Sequence, residues 1–256
     1  MNKFAVVAKK DEKSSLIERL VKKRLITDNW IMDKEHPQLI ICVGGDGTLL
    51  YAVHKYIDRL ESVCFVGIHT GTLGFFTDYT VAELDTFFLD ILHHEPNIFC
   101  SYLLDIHVDE KHLYALNELR IENVKRTQEV KISVDGESFE TCRGSGICLS
   151  TQAGSTAYNR SLGGAVIDNG LNIMQLAEIT AIQHRKQRSL GNPYILKMDR
   201  KVTLTSDDFS DALLCYDHLH QSLDGIKQIV ATMSERCVRF ARYREYSYLQ
   251  RLKNLY

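Results

Sequence analysis

LIICVGGDGTLLYAV, residues 39–53, is the stretch on which the fold turns. Five apolar residues run without interruption into Gly44-Gly45-Asp46-Gly47, and a helical pattern follows at once. An unbroken apolar strand is what a parallel sheet covered on both faces requires. Beyond the glycines, Leu49, Val53, Tyr56 and Leu60 recur at i, i+4, i+7 and i+11, the spacing of an amphipathic helix. Glycines allow positive φ and close backbone approach, so three of them around one acid predict a tight turn against a ligand. The helix is expected to begin near Thr48, with the threonine hydroxyl as its cap. Its first N–H groups and its dipole favour phosphate. Ligands of open α/β sheets bind at the C-terminal ends of the strands. A carboxylate at such a corner, Asp46, could bind magnesium or take a proton from an attacking hydroxyl. The plainer alternative is a glycine-rich turn with Asp46 in a local hydrogen bond.

Working outward, KFAVVAK (3–9) reads as a strand, and SSLIERLVKKRL (14–25) as a helix with Leu16, Leu20 and Val21 on one face. SVCFVGI (62–68) is the next strand and TVAELDTFFLDILHH (80–94) the next helix. This alternation predicts an α/β N-terminal domain with a parallel sheet, residues 1–99. The rhythm then changes. SYLLDIHVDEKHLYALNELRIENV (101–124) contains strand-like stretches around a turn at Asp109-Glu110, and EVKISVDGESFETC (129–142) is a hairpin about Asp135-Gly136. GICLST (146–151), RKVTLTS (200–206), DALLCYD (211–217) and IKQIVATM (226–233) read as strands, and NIMQLAEITAIQH (172–184) as a helix. The expectation is a mainly antiparallel, all-β C-terminal domain over 100–237. The last segment, 238–256, is expected to return to the first domain as a strand and a helix.

Composition narrows the function classes. The chain has 256 residues, 45% hydrophobic and 25% charged, as an ordinary globular protein does. A formal net charge of −2 gives no global attraction to nucleic acid or an anionic membrane. The basic, aromatic-rich tail after Arg236 reads as an amphipathic segment with a solvated basic face or as a subunit contact. The N-terminus lacks a signal-peptide pattern and no apolar stretch is long enough to span a bilayer, so neither secretion nor membrane association is expected. The seven cysteines are odd in number, form no C-x-x-C pair and sit mostly in apolar runs, which predicts a reduced, cytoplasmic protein without a disulfide framework or zinc site. His93-His94 reads as a helix end before Pro96, and beyond the option left open at Asp46 no protein residue is singled out as a metal ligand.

Two further clusters bear on the corner. RGSGICLSTQAGSTAYNRSLGGAVI (143–167) packs glycines, hydroxyls and a ring between apolar segments, and its Gly154–Tyr158 core suits an adenine-ribose. ALNELRI (115–121) sets Asn117 beside Glu118 on a strand, an amide and an acid suited to vicinal ribose hydroxyls, although an ordinary strand-edge pair has the same appearance. Neither G-x-x-x-x-G-K-[ST] nor G-x-G-x-x-G occurs, so a P-loop or dinucleotide fingerprint does not explain the glycines.

GGDGTLL, GTLGFF, LNE and GSTAYNRSLGGA, in that order, resemble the NAD kinases, most closely those of Gram-positive bacteria. The resemblance runs from about residue 39 to about 220, with Asp217 and His218 of YDHLH where the family has an Asp-His strand end. It implies phosphorylation of the adenosine 2′-hydroxyl of NAD by ATP or polyphosphate with a divalent metal such as Mg2+. It also implies a homodimer or homotetramer. By resemblance Asp46 is the catalytic acid, with Gly47 beside it, and Phe75 and Phe76 flank the adenine. Asn117 and Glu118 contact adenine and ribose. Thr156, Ala157, Tyr158, Asn159, Arg160 and Ser161 surround the adenine and the nicotinamide end. Arg143, Ser145 and Thr180 lie near the nicotinamide. Ser145 replaces a common aspartate, Thr180 a smaller residue, and His69 and Thr72 a common asparagine and histidine. Two rival readings remain at this stage. One is a lipid kinase of the diacylglycerol or sphingosine type, which shares GGDGT. The other is a dinucleotide-binding regulator without activity.

Overall fold

The computed structural model describes residues 2–71, 74–183, 188–245 and 247–254. The elements of the first stretch are β1 (Lys3–Ala8), α1 (Glu12–Thr27), β2 (Ile31–Met32), β3 (Leu39–Val43), α2 (Asp46–Lys55), β4 (Cys64–His69), β5 (Tyr79–Thr80) and α3 (Leu84–His93). Then come β6 (Asn97–Val108), β7 (Lys111–Ala115), β8 (Glu118–Glu122), β9 (Gln128–Val134), β10 (Glu137–Gly144), β11 (Gly146–Thr151), α4 (Tyr158–Ser161) and β12 (Ile173–Ile179). β13 (Tyr194–Lys197), β14 (Val202–Thr205), β15 (Leu213–Tyr216), β16 (Leu219–Ser222), β17 (Gln228–Arg242) and α5 (Tyr248–Lys253) complete the chain. It divides into two compact units, residues 1–100 with 237–256, and residues 101–236.

The first unit is α/β. β3 pairs in parallel along its whole length with β1 on one side and β4 on the other, so Leu39 lies between Phe4 and Cys64. All five residues of β3 are buried, which is why its sequence has no alternation. β2 adds to β1, and the returning β17 aligns Phe240 in parallel with Phe65. The core gathers Phe4, Val21, Leu25, Ile41, Val66 and Phe87, with Tyr79 edge-on to Phe87 at 5.2 Å.

Two details of its helices differ from the sequence reading. The inner stripe of α1 is Ser14, Ile17, Val21 and Leu25, while Leu16 and Leu20 are 49% and 45% exposed. Steps of three and four from Ser14 leave both leucines on the outer side. α2 starts at Asp46, not near Thr48, with Gly45 as its N-cap and no side-chain cap. The Thr48 hydroxyl folds over the turn instead: a Cβ on Gly44 would lie 2.2 Å from Thr48 Oγ1.

The second unit is antiparallel β, as expected. One sheet has the order β13-β12-β11-β8-β15-β16. Another joins β10, β9, β14 and the Gln228–Ala231 part of β17, and β6 pairs with β7 as a hairpin. Leu104, Ile121, Ile132, Leu149, Leu176 and Ile229 belong to its shared core. The β9–β10 hairpin turns at Asp135 (φ 53°) and Gly136 (φ 87°), the two positive φ values of a type I′ turn.

The expected helix at 172–184 is a strand: Ile173–Ile179 is β12, held between β11 and β13. A strand buried on both faces loses its alternation, and a short apolar run then fits either period. Gln175, inside it and fully buried, is tied to the preceding loop through the Ala165 N–H (2.8 Å) and the Ala165 carbonyl (3.1 Å). His184 lies outside the described residues. His93 does end a helix, and all seven cysteines are free thiols. Among the described residues no helix is long and apolar enough to cross a membrane.

The α1 assignment predicts unequal costs for two leucines. Leu25→Ala removes a fully buried side chain and should cost about 2–5 kcal/mol in urea unfolding, against about 0.5 kcal/mol or less for Leu20→Ala. Equal losses would contradict the face assigned here.

Candidate active site

Asp46 is the first residue of α2, and a loop from the same unit holds its carboxylate. The Phe75 N–H donates to Oδ2 at 2.9 Å and the Phe76 N–H to Oδ1 at 3.1 Å. Gly74 makes room for this approach, since a Cβ there would lie 2.4 Å from both oxygens. Among the described residues each carboxylate oxygen accepts one bond and keeps a second lone pair.

The loop is anchored from the far end of the chain. Arg251 of α5 donates to the carbonyls of Gly74 (2.6 Å) and Thr77, and contacts Asp78 at 3.3 Å. Asp78 also pairs with Arg242, and all three charged side chains are buried. These tail cations therefore do not form the solvated face expected from the sequence. Arg242 also lies 4.8 Å over the Phe240 ring.

Beside Asp46 lies a cleft of about 800 Å³, lined by Gly45, Gly47, Thr48, Tyr51 and His69, and by Lys9, Lys10 and Lys13. The lysines were not singled out from the sequence. They follow β1 at its C-terminal end, and β1 lies next to β3 in the sheet, so they meet the glycine corner. Asp11 of the same lining pairs with Lys9 at 3.2 Å, and Lys13 donates to the Thr70 carbonyl. Three lysines against one acid leave a net positive lining at a helix N-terminus, a place suited to an anion. His69 Nδ1 accepts from the Gly71 N–H at 2.8 Å, which leaves the other ring nitrogen to carry the hydrogen. Burial holds its pKa below the usual histidine value, with the Asp46 charge opposing, so the ring is a neutral donor at pH 7. Phe75 is half-buried, its ring edge-on to Tyr248 at 5.9 Å. Phe76 is a core residue, stacked on Phe240 at 5.6 Å, which leaves Phe75 as the ring of the pair available to a ligand. Thr72 lies outside the described residues.

In the second unit, Glu118 opens β8 and Asn117 immediately precedes it, and both are buried. Asn117 Oδ1 and Glu118 Oε2 have no hydrogen-bond partner among the described residues. Leaving such atoms unpaired costs about 1–3 kcal/mol each, so the pair is built to receive donors. Asp217, at the β15–β16 turn with φ 50°, accepts from the N–H groups of Leu116 (2.8 Å) and Asn117 (2.7 Å) and fixes the entry to β8. Burial, and next the Asp217 charge, push the Glu118 carboxyl up to about 7, while Arg120 opposes. Glu118, Arg120 and Glu122 alternate along β8 and share a face. Arg120 forms an ion pair with Glu122 at 2.9 Å and lies 4.0 Å over the Tyr158 ring.

The GSTAYNRS segment folds around this pair. A Cβ on Gly154 would lie 2.0 Å from the Asn117 carbonyl oxygen, so this glycine lets the segment close on β8. Thr156, Ala157 and Tyr158 are half-buried. Asn159 is fully buried, its amide donating to the carbonyls of Ser155 and Ala165 at 3.4 Å each, so it holds the loop together. Arg160 and Ser161 are exposed.

Arg143, Ser145 and Thr180 gather elsewhere in the same unit. The Ser145 N–H donates to the Ile179 carbonyl at 2.9 Å. A Cβ on Gly144 would meet the Ile179 and Thr180 carbonyls at 2.7 and 2.8 Å. Thr180 has φ 50°, a costly conformation for a β-branched residue, and Arg143 is exposed, 3.5 Å from Glu129. Glu118 pairs with Ser150 and Glu122 with Gly146. The two groups therefore mark opposite ends of β8, roughly 13 Å apart at the rise of a strand.

The chain matches the family model for the ATP-NAD kinase N-terminal domain over residues 4–96 and that for the ATP-NAD kinase C-terminal domain over residues 116–241. NAD kinase 1 of Bacillus subtilis (strain 168) is 36% identical, with 98% of this chain and 97% of the relative covered. NAD kinase of Staphylococcus carnosus (strain TM300) is 38% identical, with 98% and 96% covered. The same fold occurs in yeast NADH kinase complexed with NADH (TM-score 0.82, 19% identity, 100% of this chain and 87% of that one). It occurs also in an NAD kinase from Archaeoglobus fulgidus in complex with ATP (TM-score 0.79, 24% identity, 99% and 96%).

The anchoring role of Arg251 is open to measurement. In Arg251→Met, amide hydrogen exchange at Phe75 and Phe76 should speed up by about tenfold or more, while the β3 amides keep their protection. Unchanged exchange at both phenylalanines would show that the loop does not depend on this side chain.

Proposed function

Since the chain belongs to the NAD kinase family of phosphotransferases, we propose that it moves the terminal phosphoryl group of ATP to the 2′-hydroxyl of the adenosine ribose of NAD, with Asp46 as general base. The observation that carries this reading is the Asp46 carboxylate, held by two backbone N–H groups with a lone pair left on each oxygen. The transfer breaks the bond between the β,γ-bridging oxygen and the γ-phosphorus of ATP and forms one from the 2′-oxygen. ADP leaves, and Asp46 accepts the hydroxyl proton. Such reactions are governed by positioning and charge stabilisation.

The donor phosphates are assigned to the cleft of the first unit. The α2 N-terminus and Lys9, Lys10 and Lys13 neutralise charge there, and His69 donates a hydrogen bond without adding charge. The donor set fits a phosphate-bound magnesium ion, because Asp46 keeps unshared lone pairs and such ions need one or two carboxylates besides phosphate oxygens. When bound, the ion supplies charge neutralisation on the transferred group. The cleft, about 800 Å³, has room for the whole nucleotide of an ATP donor.

The second unit is assigned to the dinucleotide. Asn117 and Glu118 accept from adenine and ribose, and Thr156, Ala157 and Tyr158 line the adenine. In the first unit, the half-buried ring of Phe75 is assigned to an adenine face. Arg143, Ser145 and Thr180 take the nicotinamide end, where Ser145 offers a neutral hydrogen bond to the amide. Arg160 and Ser161 lie at the rim, and Asn159 acts by holding the loop. The unpaired atoms of Asn117 and Glu118 favour this substrate over a lipid, which would leave them without donors. Self-association is assigned to the exposed rings of Phe139 and Tyr194, whose centres meet at 5.3 Å.

Asp46→Asn should fold, bind NAD and form NADP ~10²–10⁴-fold more slowly, the usual cost of losing a general base. Undiminished turnover would remove Asp46 from the role.

Glu118 sets a pH dependence with opposite signs for folding and binding. Its carboxyl is raised from 4.5 to about 7, so its contribution to folding is full below 4.5 and is lost as pH rises through about 7. A ribose hydroxyl favours the ionised acceptor, so binding releases a proton and NAD affinity rises with pH, by up to about tenfold per unit below about 7. Calorimetry in buffers of different ionisation enthalpy reads the released proton. Glu118→Gln should abolish the dependence, and an unchanged pH profile in that variant would rule out the assignment.

A further inference from the structure

The β6–β7 hairpin carries a cluster that the phosphoryl transfer does not use. His107 and His112 are direct cross-strand partners, and Asp105 lies two residues before His107 on the same face. The two imidazole rings sit 3.9 Å apart, centre to centre. Asp105 Oδ1 is 3.4 Å from His107 Nε2 and 3.5 Å from His112 Nδ1, and one ligand atom from each residue lies within 4.8 Å of the others. Yet Asp105 Oδ1 is a buried atom that makes no hydrogen bond among the described residues. Two ring nitrogens therefore flank a buried carboxylate oxygen without bonding it, and the three atoms converge on a common space.

The geometry points to a binding site for a first-row divalent transition-metal ion of the zinc or cobalt type, held by Asp105, His107 and His112. Nitrogen and oxygen ligands about 2.0–2.1 Å from a tetrahedral ion stand about 3.3–3.4 Å from one another, the separation at which Asp105 Oδ1 faces both imidazoles. Two imidazoles and one carboxylate select such an ion over Mg2+, which prefers an octahedron of oxygens. Three protein ligands leave the fourth position to water, and His107 and His112 are open enough to admit it, at 40% and 54% side-chain exposure. Beside the triad, the Arg236 guanidinium lies 4.9 Å over the ring of Tyr114, the cross-strand partner of Asp105. The ion cross-links β7 to β6 across the Asp109-Glu110 turn. No cysteine takes part, so neither the cysteine spacing nor His93-His94 could have revealed the site.

The test uses the full chain, stripped of metal by a chelator and kept in millimolar Mg2+ so that the phosphate cleft does not compete. Titration with Zn2+ against a chromophoric chelator should show one equivalent bound at micromolar affinity or tighter. Co2+ should give visible d–d bands without a thiolate charge-transfer band. His107→Ala and His112→Ala should each weaken Zn2+ binding by about a hundredfold while retaining the parent's circular dichroism and its NADP-forming activity, which serve as fold controls. Absence of a stoichiometric ion, undiminished binding in either variant, or a thiolate band from Co2+ would each overturn the site.

Discussion

Two backbone hydrogen bonds, from Phe75 and Phe76 to the carboxylate of Asp46, are the constraint on which the rest of the first unit depends. Those N–H groups can reach the acid only if nothing stands between, hence Gly74, and only if the loop does not swing, hence Arg251 on its carbonyls. Arg251 in turn is held by buried Asp78, which shares its charge with Arg242. On the other side Asp46 is fixed by α2, whose start is set by the all-buried β3 and by Gly45 at the cap. A long chain of packing and charge thus ends on one carboxylate. That is the kind of support that a group moving a proton at a defined atom needs.

The second unit follows a different logic. Its core is well packed, but Asn117 Oδ1 and Glu118 Oε2 are buried with no hydrogen-bond partner among the described residues, and Thr180 is held at positive φ. Each feature costs stability, and each lies where a residue has been assigned to the dinucleotide. Buried polar atoms without partners bind tightly when the right donors arrive and reject ligands that lack them. The raised carboxyl of Glu118 comes from the same burial, reinforced by Asp217, so the structural and the titration observations have one cause.

Much of this was legible in the sequence, for identifiable reasons. LIICV announced a covered parallel strand because both of its faces are buried, and Asp135-Gly136 announced a hairpin because the type I′ turn needs two positive φ values. The same physics misled at β12, where burial on both faces erased the alternation that separates strand from helix. Leu16, Ile17, Leu20 and Val21 left two choices of helix face, and hydrophobicity could not choose between them. At α2 the cap is Gly45, which has no side chain to mark it, so Thr48 drew the reading two residues too far. Residues that cooperate only through sheet neighbours or register had no linear signature. Lys9, Lys10 and Lys13 meet the glycine corner because β1 lies beside β3, and Asp105 meets His112 because β6 folds back on β7. Arg251 reaches the loop it anchors from 177 residues further along the chain.

The central claim is that this corner delivers a phosphoryl group to one particular oxygen. The most direct measurement is the phosphorus and proton NMR spectrum of the product formed from NAD, ATP and magnesium. The account predicts a single new phosphomonoester coupled to the 2′ proton of the adenosine ribose. A phosphate on the adenosine 3′-oxygen or on the nicotinamide ribose would contradict it.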